Sequence, residues 1–211
     1  MTATTSDTLL RVLVSRGDSA ATARGIQIAS VLFITALTAA AAQISVSLPF
    51  TTVPLTLQPM VVLVGGLALG SRLGSASQIL YLAAGIAGLP VFAASATLPP
   101  GALRLLGPTG GYLMMYPVAA FVAGYLAERG FDRRYLTSVL AMFAGLAIIF
   151  TSGVLWLGLF ARTLTGSAPV GLQSALATGL YPFILPDAVK LLIAAGLVPA
   201  LWRLVGRSDP R

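Results

Sequence analysis

Between Arg24 and Arg72 the chain carries no ionisable side chain, and charge-free stretches also fill 73–103, 105–127, 135–161 and 163–186. A helix needs about 20 mostly apolar residues to cross a hydrocarbon core of about 30 Å. Divided at proline- and glycine-rich punctuation, these stretches predict six spans: Ile26–Ser47, Leu55–Leu69, Leu73–Phe92, Thr109–Ala127, Tyr135–Ala161 and Gly179–Val205. The loop Leu48–Pro54 parts the first two, Ala93–Pro108 follows the third, and the polar run Glu128–Arg134 ends the fourth. The segment Arg162–Thr178 reads as a loop with room for a surface helix. The second span is short, so its upper end is expected inside protein rather than lipid. There is no internal repeat. The expected architecture is an all-α polytopic membrane protein: a cytoplasmic tail over 1–25, one transmembrane domain over 26–205, and a cytoplasmic tail over 206–211.

Composition supports this class. Of 211 residues, 57% are hydrophobic and 9% charged, with a mean hydropathy of +0.92. Soluble domains hold about 25% charged residues, so this chain cannot cover itself with a solvated skin. The absence of cysteine and histidine removes disulfides, thiolate nucleophiles, His-based triads and His or Cys metal sites. No cofactor is called for. The excess of 13 basic over 6 acidic residues is a topology signal here, not a nucleic-acid footprint. Six spans place Arg11, Arg16, Arg24, Arg72, Arg129, Arg133, Arg134, Arg203, Arg207 and Arg211 on one side, against Arg104 and Arg162 on the other. Cytoplasmic loops are rich in Arg and Lys, so both termini are expected in the cytoplasm. Ala39–Ala42 has the small-residue character of a signal cleavage site, but the polar lead of some 25 residues favours a retained helix.

Spans 1, 3 and 4 are rich in small residues, which let helices approach closely. Ala36 and Ala40 form a small-xxx-small pair, open to two readings: internal packing, or a docking face for another membrane subunit.

Asp187 and Lys190 are the ionisable residues well inside a span, in Y-P-F-I-L-P-D-A-V-K. Three residues apart, they share a helix face. Pro182 and Pro186 suit a helix start. Counted from Pro182, Asp187 lies about 7–8 Å and Lys190 about 12 Å into the outer half of the membrane. Buried charge is costly there and marks function by default. A structural ion pair, a ligand site and a proton relay at Asp187 all remain open. A carboxylate that only accepts and an ammonium that only donates would suit a neutral cyclic ligand with adjacent N–H and C=O groups.

Two further patterns fall on the same outer face. G-P-T-G-G-Y (Gly107–Tyr112) opens span 4, where free N–H groups favour an anion. Gly110 and Gly111 permit close approach of a ligand to the backbone, Tyr112 offers a ring and a hydroxyl, and Arg104 lies just before. The second, P-F-T-T-V-P-L-T-L-Q-P (Pro49–Pro59), holds Gln58 among threonines and prolines and reads as a connector or a cap over a pocket. There is no G-x-x-x-x-G-K-[ST] loop for ATP, and no serine stands at a convincing helical distance from Lys190 for a Ser–Lys enzyme.

These motifs, in this order and over most of the chain, resemble the BioY family, the biotin-specific substrate-binding (S) components of energy-coupling factor (ECF) vitamin transporters. The resemblance rests on P-F-T-T-V-P-L-T-L-Q, G-P-T-G-G-Y-L and P-F-I-L-P-D-A-V-K. It implies a six-helix S-component fold in a bacterial inner membrane and capture of biotin from outside without enzymatic chemistry. It also implies energy from a transmembrane coupling protein and two ATPase subunits. By this resemblance Asp187 and Lys190 engage the ureido ring, and Gly111 and Tyr112 line the pocket. Leu113, Tyr81 and Phe183 meet the apolar part of the ligand. Arg104, or the N–H groups opening span 4, meets the carboxylate. Ala36 and Ala40 fit the docking spacing. The alternative is an ion-coupled secondary transporter with Asp187 relaying protons.

Overall fold

A computed structural model describes residues 8–14, 19–95, 98–161 and 169–204. Arg16, Arg162, Arg207, Arg211 and the expected tail 206–211 lie outside them. Eleven helices and one strand pair follow in order among the described residues: α1 (Leu9–Val14), α2 (Ala20–Gln43), β1 (Ser45–Val46), β2 (Leu55–Thr56), α3 (Gln58–Leu69), α4 (Ser71–Ile86), α5 (Leu103–Leu106), α6 (Gly110–Met114), α7 (Tyr116–Ala127), α8 (Tyr135–Leu159), α9 (Leu172–Gly179), α10 (Tyr181–Ala194) and α11 (Leu197–Leu204).

The all-α membrane class holds. Among the described residues, four stretches are long and apolar enough to cross a bilayer: 20–43, 110–127, 135–159 and 181–203. The other two expected spans are the 12-residue α3 and the 16-residue α4. Apolar side chains such as Leu32 and Phe33 of α2 and Leu136, Leu140 and Phe143 of α8 are exposed on the outside, as a hydrocarbon solvent allows.

Several boundaries differ from expectation for local reasons. The first span starts early, at Ala20, because Ser19 caps it: its hydroxyl accepts from the Thr22 N–H at 3.1 Å. The expected tail holds α1, whose Leu9, Leu10 and Val12 are buried against the domain. The loop after α2 is flanked by an antiparallel pair, Ser45 opposite Thr56 and Val46 opposite Leu55. Leu55 therefore belongs to a strand, and α3 begins at Gln58 with Pro59 in its first turn, where a missing N–H costs nothing. Span 4 is two helices broken at Met115, with Pro117 opening the second. Span 6 breaks at Ala195–Gly196, and the surface helix of the preceding loop is α9.

At the centre stands α3, packed by α2, α4, α7 and α8. Val62, Leu63 and Leu67 are fully buried there, with Met142 and Ile149 of α8 against them. The chain reverses at Gly70, whose φ of 86° favours glycine. Gly66 and Gly74, each four residues from it, then face each other, and any side chain on Gly66 would strike the Ala120 carbonyl of α7. Gly74 of span 3 and Ala120 of span 4 thus serve internal packing. Ala36 and Ala40 instead lie exposed on α2. Glu128 at the end of α7 ties this trio together, its Oε1 accepting from the N–H and hydroxyl of Ser71, both at 2.9 Å.

Candidate functional site

A cavity of about 390 Å³ opens at the end of the molecule opposite Glu128. Its cover is the β1–β2 turn, Thr51–Thr56; Gln58 is at the tip of α3; Phe92–Ser95 and Arg104 flank it. The other walls are Tyr112, Leu113 and Tyr116 from α6 and α7, Ile149 and Phe150 from α8, and Phe183 and Asp187 from α10. Mostly apolar walls with a few convergent polar groups are the usual make-up of a small-molecule site.

Asp187 is 3% exposed and ion-paired with Lys190 on the next turn of α10. Lys190 also donates from Nζ to the Thr56 carbonyl at 2.7 Å. That carbonyl, on a strand beyond the reach of periodicity arguments, is a partner the sequence did not disclose. One ammonium thereby joins the pocket's carboxylate to its cover.

Gln58 is 3% exposed and lines the cavity. Its Nε2 donates to the Tyr81 hydroxyl at 2.6 Å, and that hydroxyl donates to the Val91 carbonyl at 3.2 Å. The single phenolic proton is spent on Val91, so Tyr81 can only accept from Gln58. This orders the amide: nitrogen towards Tyr81, leaving Oε1 as the acceptor that Gln58 keeps for another donor. Tyr81 is fully buried and does not line the cavity, contrary to the expected apolar contact. It stands behind the wall, edge-on to Phe92 with centroids 5.4 Å apart and stacked on Tyr116 at 6.3 Å.

Arg104 lines the cavity, but two of its nitrogens hold the loop: Nη1 donates to Ala93 O at 2.6 Å and Nε to Pro99 O at 3.1 Å. Burial lowers its pKa from the ordinary guanidinium value, yet guanidinium remains charged. Nη2 makes no hydrogen bond among the described residues.

The span-4 motif is corrected in two respects. Tyr112 presents its ring to the cavity, while its hydroxyl donates to the Gly179 carbonyl at 2.8 Å. Gly110 and Gly111 do not line it. A side chain on Gly110 would meet the Leu105 carbonyl, and one on Gly111 would meet Trp156; these glycines seat α6 against α5 and α8. The Gly110 N–H is also spent, donating to Gly107 O at 3.1 Å.

Leu113 and Phe183 stand in the wall. The sequence reading missed Tyr116, although its place one turn after Tyr112 could have marked it; Phe92 and Phe150 carried no signal apart from other apolar residues. Ala36 and Ala40 are on α2, which contributes no lining residue.

Residues 15–207 match the family model described as BioY family. The chain is 42% identical over 182 residues to the probable biotin transporter BioY of Pyrococcus horikoshii, covering 86% of this chain and 98% of that protein. It is 35% identical over 159 residues to the biotin transporter BioY of Thermotoga maritima, covering 75% and 86%. In fold it is similar to the crystal structure of the S-component for biotin from an ECF-type ABC transporter, with a TM-score of 0.74 at 22% identity, covering 89% of this chain and 95% of that one.

Proposed function

The chain belongs to the BioY family, and from that premise we propose that it is the biotin-binding membrane subunit of a vitamin transporter, with no enzymatic step. It lies in the bacterial cell membrane with both termini in the cytoplasm. Biotin enters from the outer side and is passed inward with a transmembrane coupling subunit and two ATPase subunits. The observation that carries this reading is a buried carboxylate, Asp187, lining a largely apolar cavity, with the half-buried Lys190 paired to it from behind.

The chemistry matches part by part. The ureido ring offers two N–H donors and one carbonyl. Asp187 accepts from the ring, with Gln58 Oε1 as a second acceptor, and Lys190 has a donor left for the carbonyl after Asp187 and Thr56. The thiophane and valeryl chain lie against Phe183, Leu113, Phe150 and the ring of Tyr112. Arg104 Nη2 meets the carboxylate. On the opposite flank, the exposed Ala36–Ala40 stripe is the face for the coupling subunit. The proton-relay alternative lacks a path: among the described residues the other acids, Glu128 and Asp132, lie at the far end and are engaged there.

The test is calorimetric titration of the purified chain with biotin in the absence of ATP. Saturable one-site binding is expected, with desthiobiotin, which keeps the ureido ring, binding as well but more weakly. Absence of saturable binding to either ligand would remove this reading.

A further inference from the structure

At the arginine-rich end, far from the cavity, α7 carries an exposed aromatic ladder. Phe121 and Tyr125 are both 43% exposed, and their rings stack with centroids 6.2 Å apart and planes 18° apart. One turn further, the Arg129 guanidinium lies over the Tyr125 ring, 3.3 Å from its centroid, and its Nη1 donates to the Tyr125 carbonyl at 3.0 Å. From Phe121 to Tyr125 the ladder rises about 6 Å along α7, and Arg129 continues it in the turn just past the helix end. It runs from bare hydrocarbon-facing rings to a fixed cation.

That cation has no carboxylate partner among the described residues. Glu128 is occupied by Ser71, and Asp132 is fully buried and accepts from Trp202. Of the five guanidinium donors, one is spent. The Ser71–Glu128 contact also brings the chain neighbours Arg72 and Arg129, both exposed, to the same corner. A phosphodiester meets these requirements: it carries one negative charge, and its two free oxygens match a guanidinium fork. The rings below call for an acyl chain. With no acid left among the described residues to receive a choline or ethanolamine cation, the headgroup that fits is a net anion.

We propose that the Phe121–Tyr125 face of α7, with Arg129 just past its end, is a binding site for one anionic phospholipid, with its phosphate on Arg129, Arg72 as second cation, and an acyl chain along the two rings. The site is independent of the biotin cavity.

The test is native mass spectrometry of the detergent-solubilised full chain with equimolar dioleoylphosphatidylglycerol and dioleoylphosphatidylcholine. Wild type is expected to retain phosphatidylglycerol over phosphatidylcholine. Arg129→Gln should reduce that retention about fivefold, the scale of one basic contact with an anionic lipid. Arg24→Gln removes an exposed arginine that has no aromatic platform and should change nothing. Biotin titration of each variant reports whether it is folded. Equal retention of the two lipids by wild type, unchanged retention in Arg129→Gln, or an equal fall in Arg24→Gln would overturn the proposal. Displacement of the lipid by millimolar inorganic phosphate alone would assign the arginine to a free anion instead. Unchanged lipid retention with lost co-purification of the coupling subunit would assign the face to that protein.

Discussion

Replacing Lys190 by Met keeps the length of the side chain and removes its charge. In the wild type Lys190 neutralises a carboxylate whose side chain is 4% exposed and holds the Thr56 carbonyl of the cover. Breaking a buried pair by deleting one partner costs about 3–5 kcal/mol, because the remaining charge is stranded. The lost hydrogen bond to Thr56 adds about 1 kcal/mol. Lys190→Met should therefore be strongly destabilised without ligand, and its biotin affinity should fall by at least two decades, at 1.4 kcal/mol per tenfold. The double variant Asp187→Asn/Lys190→Met strands no charge. It should recover most of the thermal stability and none of the binding. Thermal unfolding of the ligand-free protein reads the first quantity and calorimetric titration with biotin the second. A Lys190→Met protein that melts and binds like wild type would refute the energetics. A double variant that binds biotin normally would refute the assignment of the pair to the ligand and leave it as a helix lock.

Tyr81→Phe deletes the hydroxyl that accepts from Gln58 and donates to Val91. It should cost about 1–3 kcal/mol of stability and weaken biotin several-fold by freeing the Gln58 amide to turn. In a Gln58→Ala background the same change should no longer affect the biotin Kd, which a double-mutant cycle checks; an unchanged penalty there would show that Tyr81 acts by some other route. At the opposite end, Asp132 in the α7–α8 connection is fully buried; its Oδ2 accepts from Trp202 Nε1 at 2.7 Å, and the Arg133 guanidinium lies 3.8 Å over the Trp202 ring. Burial outweighs the Trp202 and Arg133 contacts and pushes the Asp132 pKa up from 3.8 to about 6. The folded state then binds the proton more tightly than the unfolded chain, so its contribution is greatest below about pH 4. It falls as pH rises to about 6 and stays level above. Asp132→Asn should flatten the change in melting temperature over that window, and an unaltered pH profile in the variant would contradict it.

The charge pair was legible because two ionisable groups within an apolar run have no inexpensive place in a membrane, and their spacing fixes a common helix face. Four of the expected spans were legible for the same reason, since hydrocarbon thickness sets a length that composition can be read against; α3 and α4 fall short of that length among the described residues. Lost to the sequence were relations between residues far apart. Gln58 and Tyr81 are 23 residues apart, Lys190 and Thr56 134, and Trp202 and Asp132 70. Each bond depends on how helices pack, which no local pattern encodes. Asp132 stood in the polar run Glu128–Arg134, where nothing local marks it for burial, yet it is fully buried against Trp202 of α11. The glycines of the span-4 motif showed the converse. Their conformational freedom suggested a ligand, but the groups that approach them closely are the Leu105 carbonyl and Trp156.

The short second span connects the fold to the site. Twelve residues of α3 reach about 18 Å, about 12 Å less than the hydrocarbon core. In lipid such a helix would leave its terminal N–H and C=O groups in hydrocarbon, at several kcal/mol each. Here α2, α4, α7 and α8 surround it, so it can stop at Gln58 without meeting lipid. The volume it fails to fill, between the tip of α3 and the β1–β2 turn, coincides with the cavity: Gln58 from that tip and Thr51–Thr56 from that turn both line it. A helix of ordinary length would place side chains where the pocket is. Prolines at 54 and 59 and the strand at Leu55–Thr56 keep the chain from extending α3 upward. They also bring the Thr56 carbonyl within reach of Lys190. The element that looks deficient as a membrane span is therefore the one that makes room for a ligand, and the apolar run begins to fail as a helix where the polar groups of the pocket begin.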